Sequence, residues 1–560
     1  MKDAEQKSSQ ETTAGKGRFS RRRFLRGAAA FGASATVLPS LLAACTQPGA
    51  APGAAPVAAD ATAAPAAELV PTVGGDLTWA ISQDPVNLVP YGAVNTSNHW
   101  GKEFMYDSLV EWDKDLIVQP ALAESWETPD ETTYIFHLRE GVTFHNGDPV
   151  TAADVKYSIE TQAEPPAPGI PHSFYPAIES VDIIDEQTVQ FNMTGPDPTV
   201  EGYLAWGRYS AIIPTDAYER WNLLTEGVGT GPFKLIEYIP NDRVEYERNE
   251  EFWNPDLPYL NKLTLKVLPD ESAAVAALRS GEIHGMSVTA DTARTLENDP
   301  NIKIVRGLFS APRVLQFTIK GEGMPWEDVR VRQAISKALD RQSLINNAFG
   351  GEAVLSGPIP PGYGDWFIPE DELLERWFTH DIDAARALMA EAGYEDGFDI
   401  TLYAIANHDA TLTAEVVQEQ MRAININVNV IAEEIGGFAQ RVGEGTFDWC
   451  STGRGMRPDP TRYVNDFGEP TVGQASRWFN NGDGWSNDEL VGLYQEALVN
   501  LDGASRRQQI RRIQEIILDE VPHVYVCQPL KFHAVNAAVH DMYVAFNDFH
   551  TGLRTTWMET

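Results

Sequence analysis

Arg454 and Arg457 flank Gly455-Met456 in the run Gly453-Arg454-Gly455-Met456-Arg457-Pro458-Asp459-Pro460. Two guanidinium groups in so glycine-rich a loop suit a carboxylate, a phosphate-like anion or the face of a sugar. The plainer alternative is that both arginines neutralise neighbouring carboxylates on an acidic surface. Catalytic constellations are not found elsewhere. The sequence has no Gly-x-Ser-x-Gly, no Ser-x-x-Lys tied to a recognisable second element, no His-Glu-x-x-His and no Cys-x-x-Cys. A hydrolase, a zinc site and a redox dithiol therefore lack a motif to rest on.

One residue is placed for covalent modification. Leu42-Ala43-Ala44-Cys45 closes an uncharged, Ala- and Leu-rich run that follows Ser20-Arg21-Arg22-Arg23-Phe24-Leu25-Arg26. Paired arginines before Phe-Leu resemble the address of the twin-arginine export pathway, and Leu-Ala-Ala-Cys resembles the lipobox of bacterial lipoproteins. A transmembrane helix is the competing reading. Gly32, Ser34, Pro39 and Ser40 interrupt the run, whereas a spanning helix wants about 20 solidly apolar residues. The expectation is an exported lipoprotein, cut before Cys45 and held at the outer face of the cytoplasmic membrane or in the periplasm. Residues 45–74 follow, rich in Ala and Pro, as a semi-extended tether.

The remainder is too long for one hydrophobic core. The chain's net charge is −37, and its first 44 residues hold eight Lys/Arg against three acids, so the rest is more acidic still. That field disfavours nucleic acid and anionic lipid as partners. Cys450 and Cys527 both fall in apolar, strand-like settings; two separate buried thiols are expected rather than a disulfide.

Hydrophobic spacing supplies the frame. Asp76–Ile81 and Tyr134–Leu138 read as strands, Thr151 to Ile159 as a capped helix, and 181–184 with 188–193 as a hairpin around Asp185-Glu186. Further on, 328–349 has helical period throughout. Helices over 382–392, 411–423, 488–499 and 505–519 alternate with strands over 398–404, 426–432 and 524–527. This alternation predicts α/β lobes.

Several blocks in this order resemble the extracellular solute-binding proteins of peptide-type ABC importers, the oligopeptide- and dipeptide-binding family. The most specific runs from Ala123-Glu124-Ser125-Trp126 through Leu138-Arg139-Glu140-Gly141-Val142 and Phe144-His145-Asn146-Gly147 to Thr151-Ala152-Ala153-Asp154-Val155. Gly229-Thr230-Gly231-Pro232-Phe233, Phe252-Trp253, Val329-Arg330-Val331-Arg332-Gln333-Ala334-Ile335, Ala338-Leu339-Asp340-Arg341, Glu391-Ala392-Gly393-Tyr394 and Pro522-His523-Val524 follow. Most of these motifs read as structural: Gly147, Gly229 and Gly231 as turns or close approaches, Trp126, Tyr134 and Phe136 as core, Asp154 as a helix N-terminal charge.

The resemblance implies an α/β, two-lobe periplasmic-binding-protein fold of type II with an extra inserted subdomain and a hinge. Lobe I would comprise 75–110, 225–312 and 530–560, the inserted subdomain 111–224, and lobe II 313–529. It implies a binding protein rather than an enzyme, a monomer without cofactor, delivering a peptide or another small solute to an ABC permease. An oligosaccharide, an anionic solute or a metal complex are the other cargoes the family suggests. Peptide-binding relatives keep an amine-anchoring Asp four residues before a Pro; counting back from Pro460, this chain has Met456 there. Recognition of a free α-amino group at that loop is therefore not expected. The candidate ligand-binding residues are Asn98, Trp449, Arg454, Met456, Arg457, Trp478 and Trp485.

Overall fold

The computed structural model describes residues 69–91, 97–163, 177–207, 209–319, 323–453, 455–468, 485–546 and 551–559. Arg21, Arg22, Cys45, Arg454 and Trp478 lie outside the described residues, as does nearly all of the Ala/Pro-rich stretch.

Two sheets meet through one strand. In the first, Asp76–Ile81 runs parallel to Lys262–Val267 and to Gly285–Val288, with the antiparallel strands Arg243–Arg248 and Phe233–Ile239 beyond. In the second, Phe398–Ile405 lies between Ile426–Glu433 and Trp449–Gly453, parallel to both, and Arg313–Phe317 pairs antiparallel with Trp449–Gly453. The shared strand is His523–Asn536. Its first residues pair with Arg313–Phe317 and its later ones with Gly285–Val288 and Ile302–Leu308. Sequence spacing predicts only 524–527 as strand, because Pro529 removes a ladder donor. The chain passes through Pro529 where the strand changes sheets, so extended backbone continues to Asn536.

A separate four-stranded antiparallel sheet is built from Ala123–Asp130, Thr133–Leu138, Thr188–Met193 and Ile178–Asp185. Helix Ala152–Ala163 packs on it, and Phe136, Phe191, Val155 and Ile159 share its core. Asp154 does more than favour the helix start. One carboxylate oxygen accepts from Thr151 N–H (2.9 Å) and the other from Thr215 N–H (2.8 Å), fastening the helix to a segment 61 residues away.

Gly147 has φ +88°, and a Cβ on Gly229 would stand 2.1 Å from the Met105 carbonyl oxygen. Both glycines are needed for backbone reasons.

The apolar period over 328–349 misleads. The structure has two helices, Val329–Ala338 and Arg341–Phe349, broken at Leu339, whose backbone is extended. Asp340 causes the restart: its carboxylate caps the second helix by accepting from Ser343 N–H. Val142-Thr143-Phe144, between the Gly141 and Asn146-Gly147 turns, reads from sequence as a short strand; it forms only a single bridge, Thr143 to Pro149.

Cys450 and Cys527 are free and fully buried. They lie on strands flanking opposite edges of Arg313–Phe317, facing Gln316 and Arg313 respectively. Strands two apart are separated by roughly 10 Å, beyond the about 7 Å that a disulfide spans between Cα atoms.

Candidate functional site

A cavity of about 480 Å³ is lined by residues from both sheets, among them Ile81 and Ser287 from the first and Arg313 from the second. One wall carries Ile81, Ser82, Trp100, Glu271, Asp291 and Arg294; the other carries Glu352, His408 and Asp409. Arg313, Phe309 and Lys531 line it as well.

Arg313 is the first residue of its strand and faces Gly453 across the ladder. Arg313 Nη2 stands 4.0 Å from Asp409 Oδ2, and its Nε is buried with no hydrogen-bond partner. A guanidinium with an unused donor, near a carboxylate it does not hydrogen-bond, has capacity for an anionic ligand. Asp409 sits in the first turn of helix His408–Met421, whose N-cap Asn407 accepts from Ala410 N–H. The helix terminus favours its negative charge.

Glu271 opens helix Glu271–Ser280 and is engaged by Thr289 N–H at 2.8 Å. Asp291 pairs with Arg294 and comes within 3.7 Å of His408 Nε2 across the cavity. The Lys531 ammonium lies 4.7 Å from the centre of the Phe309 ring. Cations and carboxylates thus face one space on apolar walls, an arrangement suited to a small solute carrying both signs of charge.

The residues singled out from the sequence are dispersed. Asn98 lies in the short helix Ser97–Trp100, which stands between this cavity, lined by Trp100, and a second one, lined by His99. Trp449 is fully buried, its ring stacked on Phe317 with centroids 5.2 Å apart and planes 7° apart. It lines neither cavity and serves packing. Met456 is buried in the same hydrophobic core. The Arg457 side chain folds back, Nη1 donating to the Met456 carbonyl at 3.1 Å, and its own carbonyl accepts from the Tyr363 hydroxyl. Burial raises that hydroxyl's pKa well above the ordinary 10. Trp485 donates to Glu520 at 2.5 Å and meets Phe467 edge-on, tying helix ends together.

Arg313, Asp409 and Trp100 are the residues that sequence reasoning missed. The one available signal was positional: Arg313 stands at the predicted start of lobe II, where a chain entering a lobe borders the cleft.

The family model for bacterial extracellular solute-binding proteins, family 5 Middle, matches residues 118–474. The chain belongs to this family. A family 5 protein from Haemophilus influenzae, heme-binding protein A, is 26% identical over 484 residues, covering 79% of this chain and 85% of the relative. Glutathione-binding protein GsiB of Escherichia coli K12 is 27% identical over 471 residues, covering 80% and 88%. Among solved structures, the binding protein AgaA from A. tumefaciens R10, in complex with agropinic acid, superposes with a TM-score of 0.71 at 26% identity, over 87% of this chain and 99% of that one. The α/β, two-lobe periplasmic-binding fold expected from the resemblance is the fold of this family 5 protein, and its role is solute binding for an ABC importer. Among the described residues, no helix is long and apolar enough to cross a membrane.

Proposed function

We propose that this protein captures a short peptide in the inter-lobe cavity, without chemical turnover, and presents it to its permease while tethered to the membrane through an acylated Cys45. The observation that carries the cargo class is Arg313, a guanidinium with an unbonded Nε and only a 4.0 Å approach to Asp409, lining a cavity that also holds the carboxylates of Glu271, Asp291 and Asp409. In this reading Arg313 receives the cargo's carboxylate and Asp409 or Asp291 its ammonium. The relatives named for glutathione and heme, and the one solved with agropinic acid, all take carboxylate-bearing molecules, which supports an anion anchor more firmly than it supports a peptide. The boundaries read from the sequence, with the inserted subdomain at 111–224, belong to the same proposal.

The test begins with native mass spectrometry of protein purified without denaturation, to identify retained solute. Titration calorimetry then compares tri-alanine with its C-terminal amide in wild type and Arg313→Ala. The amide and the variant should each lose at least tenfold in affinity, about 1.4 kcal/mol. Equal binding of acid and amide would remove Arg313 as the carboxylate anchor. Cys45→Ser should release the mature protein from the membrane fraction, since lipid chains are what hold it there; retention after a high-salt wash would overturn the anchor.

A further inference from the structure

The second cavity, on the His99 side of helix Ser97–Trp100, encloses about 470 Å³. Trp112, Phe252, Trp253, Tyr543 and Phe546 give it aromatic walls. Trp253 is fixed in place: its Nε1 donates to Asp107 at 2.9 Å, and the Arg139 guanidinium lies 4.6 Å from its ring centre.

Most charged groups on this cavity are engaged by the protein itself. Arg554 pairs with the buried Asp107. Lys102 donates to the Pro90 carbonyl, and Lys114 pairs with Asp115. Asp113 accepts from two N–H groups of its own turn, and Asp541 accepts from Trp557 Nε1 at 2.7 Å. Glu111 differs. It lines the cavity from strand Val110–Trp112, half-buried, and among the described residues its carboxylate makes neither a hydrogen bond nor an ion pair. Removal from water is the largest influence on it and raises its pKa above the ordinary 4.5, outweighing the opposing pull of Arg554 and Arg139.

We propose that this cavity is a binding site for an organic cation, an ammonium or guanidinium group on an apolar stem, with Glu111 as its counter-charge and the Trp112, Trp253 and Phe546 rings about the stem. A partly desolvated carboxylate without a donor is costly to the fold. A cation bearing N–H groups supplies that donor as a charge-assisted bond, and ring faces add cation–π attraction. The acidic chain, with net charge −37, concentrates cations near the opening. The same chemistry has two sources: a basic side chain of a peptide, or a small free amine. The inference stands apart from the peptide reading, because the free amine probes the cavity alone.

The experiment is titration calorimetry of the mature protein with glycyl-lysine, with its uncharged counterpart glycyl-norleucine, and with agmatine. Wild type should bind glycyl-lysine at least tenfold tighter than glycyl-norleucine, or bind agmatine outright, and Glu111→Gln should erase the preference or weaken agmatine tenfold. A lysine preference without agmatine binding assigns the site to a cargo side chain; agmatine binding assigns it to a free amine. Should no dipeptide bind, the loss falls on the peptide reading and the agmatine result still decides the cavity. The inference is overturned if wild type neither prefers glycyl-lysine nor binds agmatine, or if Glu111→Gln changes neither, a result that would mark Glu111 as a neutral, protonated wall of the cavity.

Discussion

Arg462, in the short helix Pro460–Tyr463, reaches Asp197, whose carbonyl accepts from Tyr134 of the four-stranded sheet, with Nη2 3.7 Å from Oδ2. Asp197 is almost completely buried and also accepts from Thr199 N–H at 2.9 Å. Nearby, a Cβ on Gly202 would stand 2.3 Å from the Pro458 carbonyl oxygen, so the two segments touch backbone to backbone. In the proposed division into lobes, this contact joins lobe II to the inserted subdomain.

Arg462→Ala should therefore loosen this contact while leaving the fold intact, because Asp197 keeps its bonds from Thr199. Ligand affinity is expected to fall about tenfold, ~1.4 kcal/mol, mostly through faster release. Stopped-flow dissociation and small-angle scattering with bound ligand measure the two effects. An unchanged release rate would show that the pair plays no part in holding the lobes together.

Met456→Asp would place a carboxylate in a hydrophobic core, where Met456 is 7% exposed. Restoring the Asp of peptide-binding relatives is thus expected to cost stability, about 3 kcal/mol, rather than to create an amine anchor. Urea unfolding would show it as a lowered midpoint with an unchanged slope.

Burial lowers the His145 pKa from 6.5 to about 4, against the opposing effect of its hydrogen bond with the Gly231 carbonyl. The unfolded chain takes up a proton near pH 6.5 and the folded chain does not until about pH 4. Stability should accordingly fall as pH drops through this window and level off below it, by up to about 3 kcal/mol. His145→Gln should flatten that part of the profile, as read by urea unfolding at pH 7, 5 and 4. A variant with the same slope as wild type would place the proton uptake elsewhere.

Burial also pushes the Cys527 thiol up to about 12 and the Cys450 thiol higher. In a Cys45→Ser background, a thiol reagent at neutral pH should find no reactive cysteine in the native protein and two after denaturation. Fewer than two after denaturation without reductant would indicate a disulfide.

Local order is where sequence reasoning succeeds. The helix Asp488–Val499 has the bounds its apolar period predicts, and strand Ile426–Glu433 differs from its prediction by one residue. Asp340 defeats the same reasoning, because a capping carboxylate inside an apolar period is compatible with either one helix or two until the Leu339 backbone is known. Family motifs reach further than periodicity: they name the two-lobe scaffold because glycines such as Gly229, against the Met105 carbonyl, are required by backbone approach alone.

What the sequence by itself determined, then, is the set of local elements, the acidic surface and the scaffold, since each depends on neighbours a few residues apart or on motifs kept whole in the chain. Only the tertiary structure decided which side chains share a cavity. Arg313 and Asp409 come together because strand Arg313–Phe317 and strand Phe398–Ile405, which leads into the helix that carries Asp409, lie in one sheet in an order that the chain order does not give, and Trp449 turns inward onto Phe317 because its strand pairs with Arg313–Phe317. Strand pairing is a long-range choice made by packing, so a guanidinium's neighbours cannot be counted along the chain.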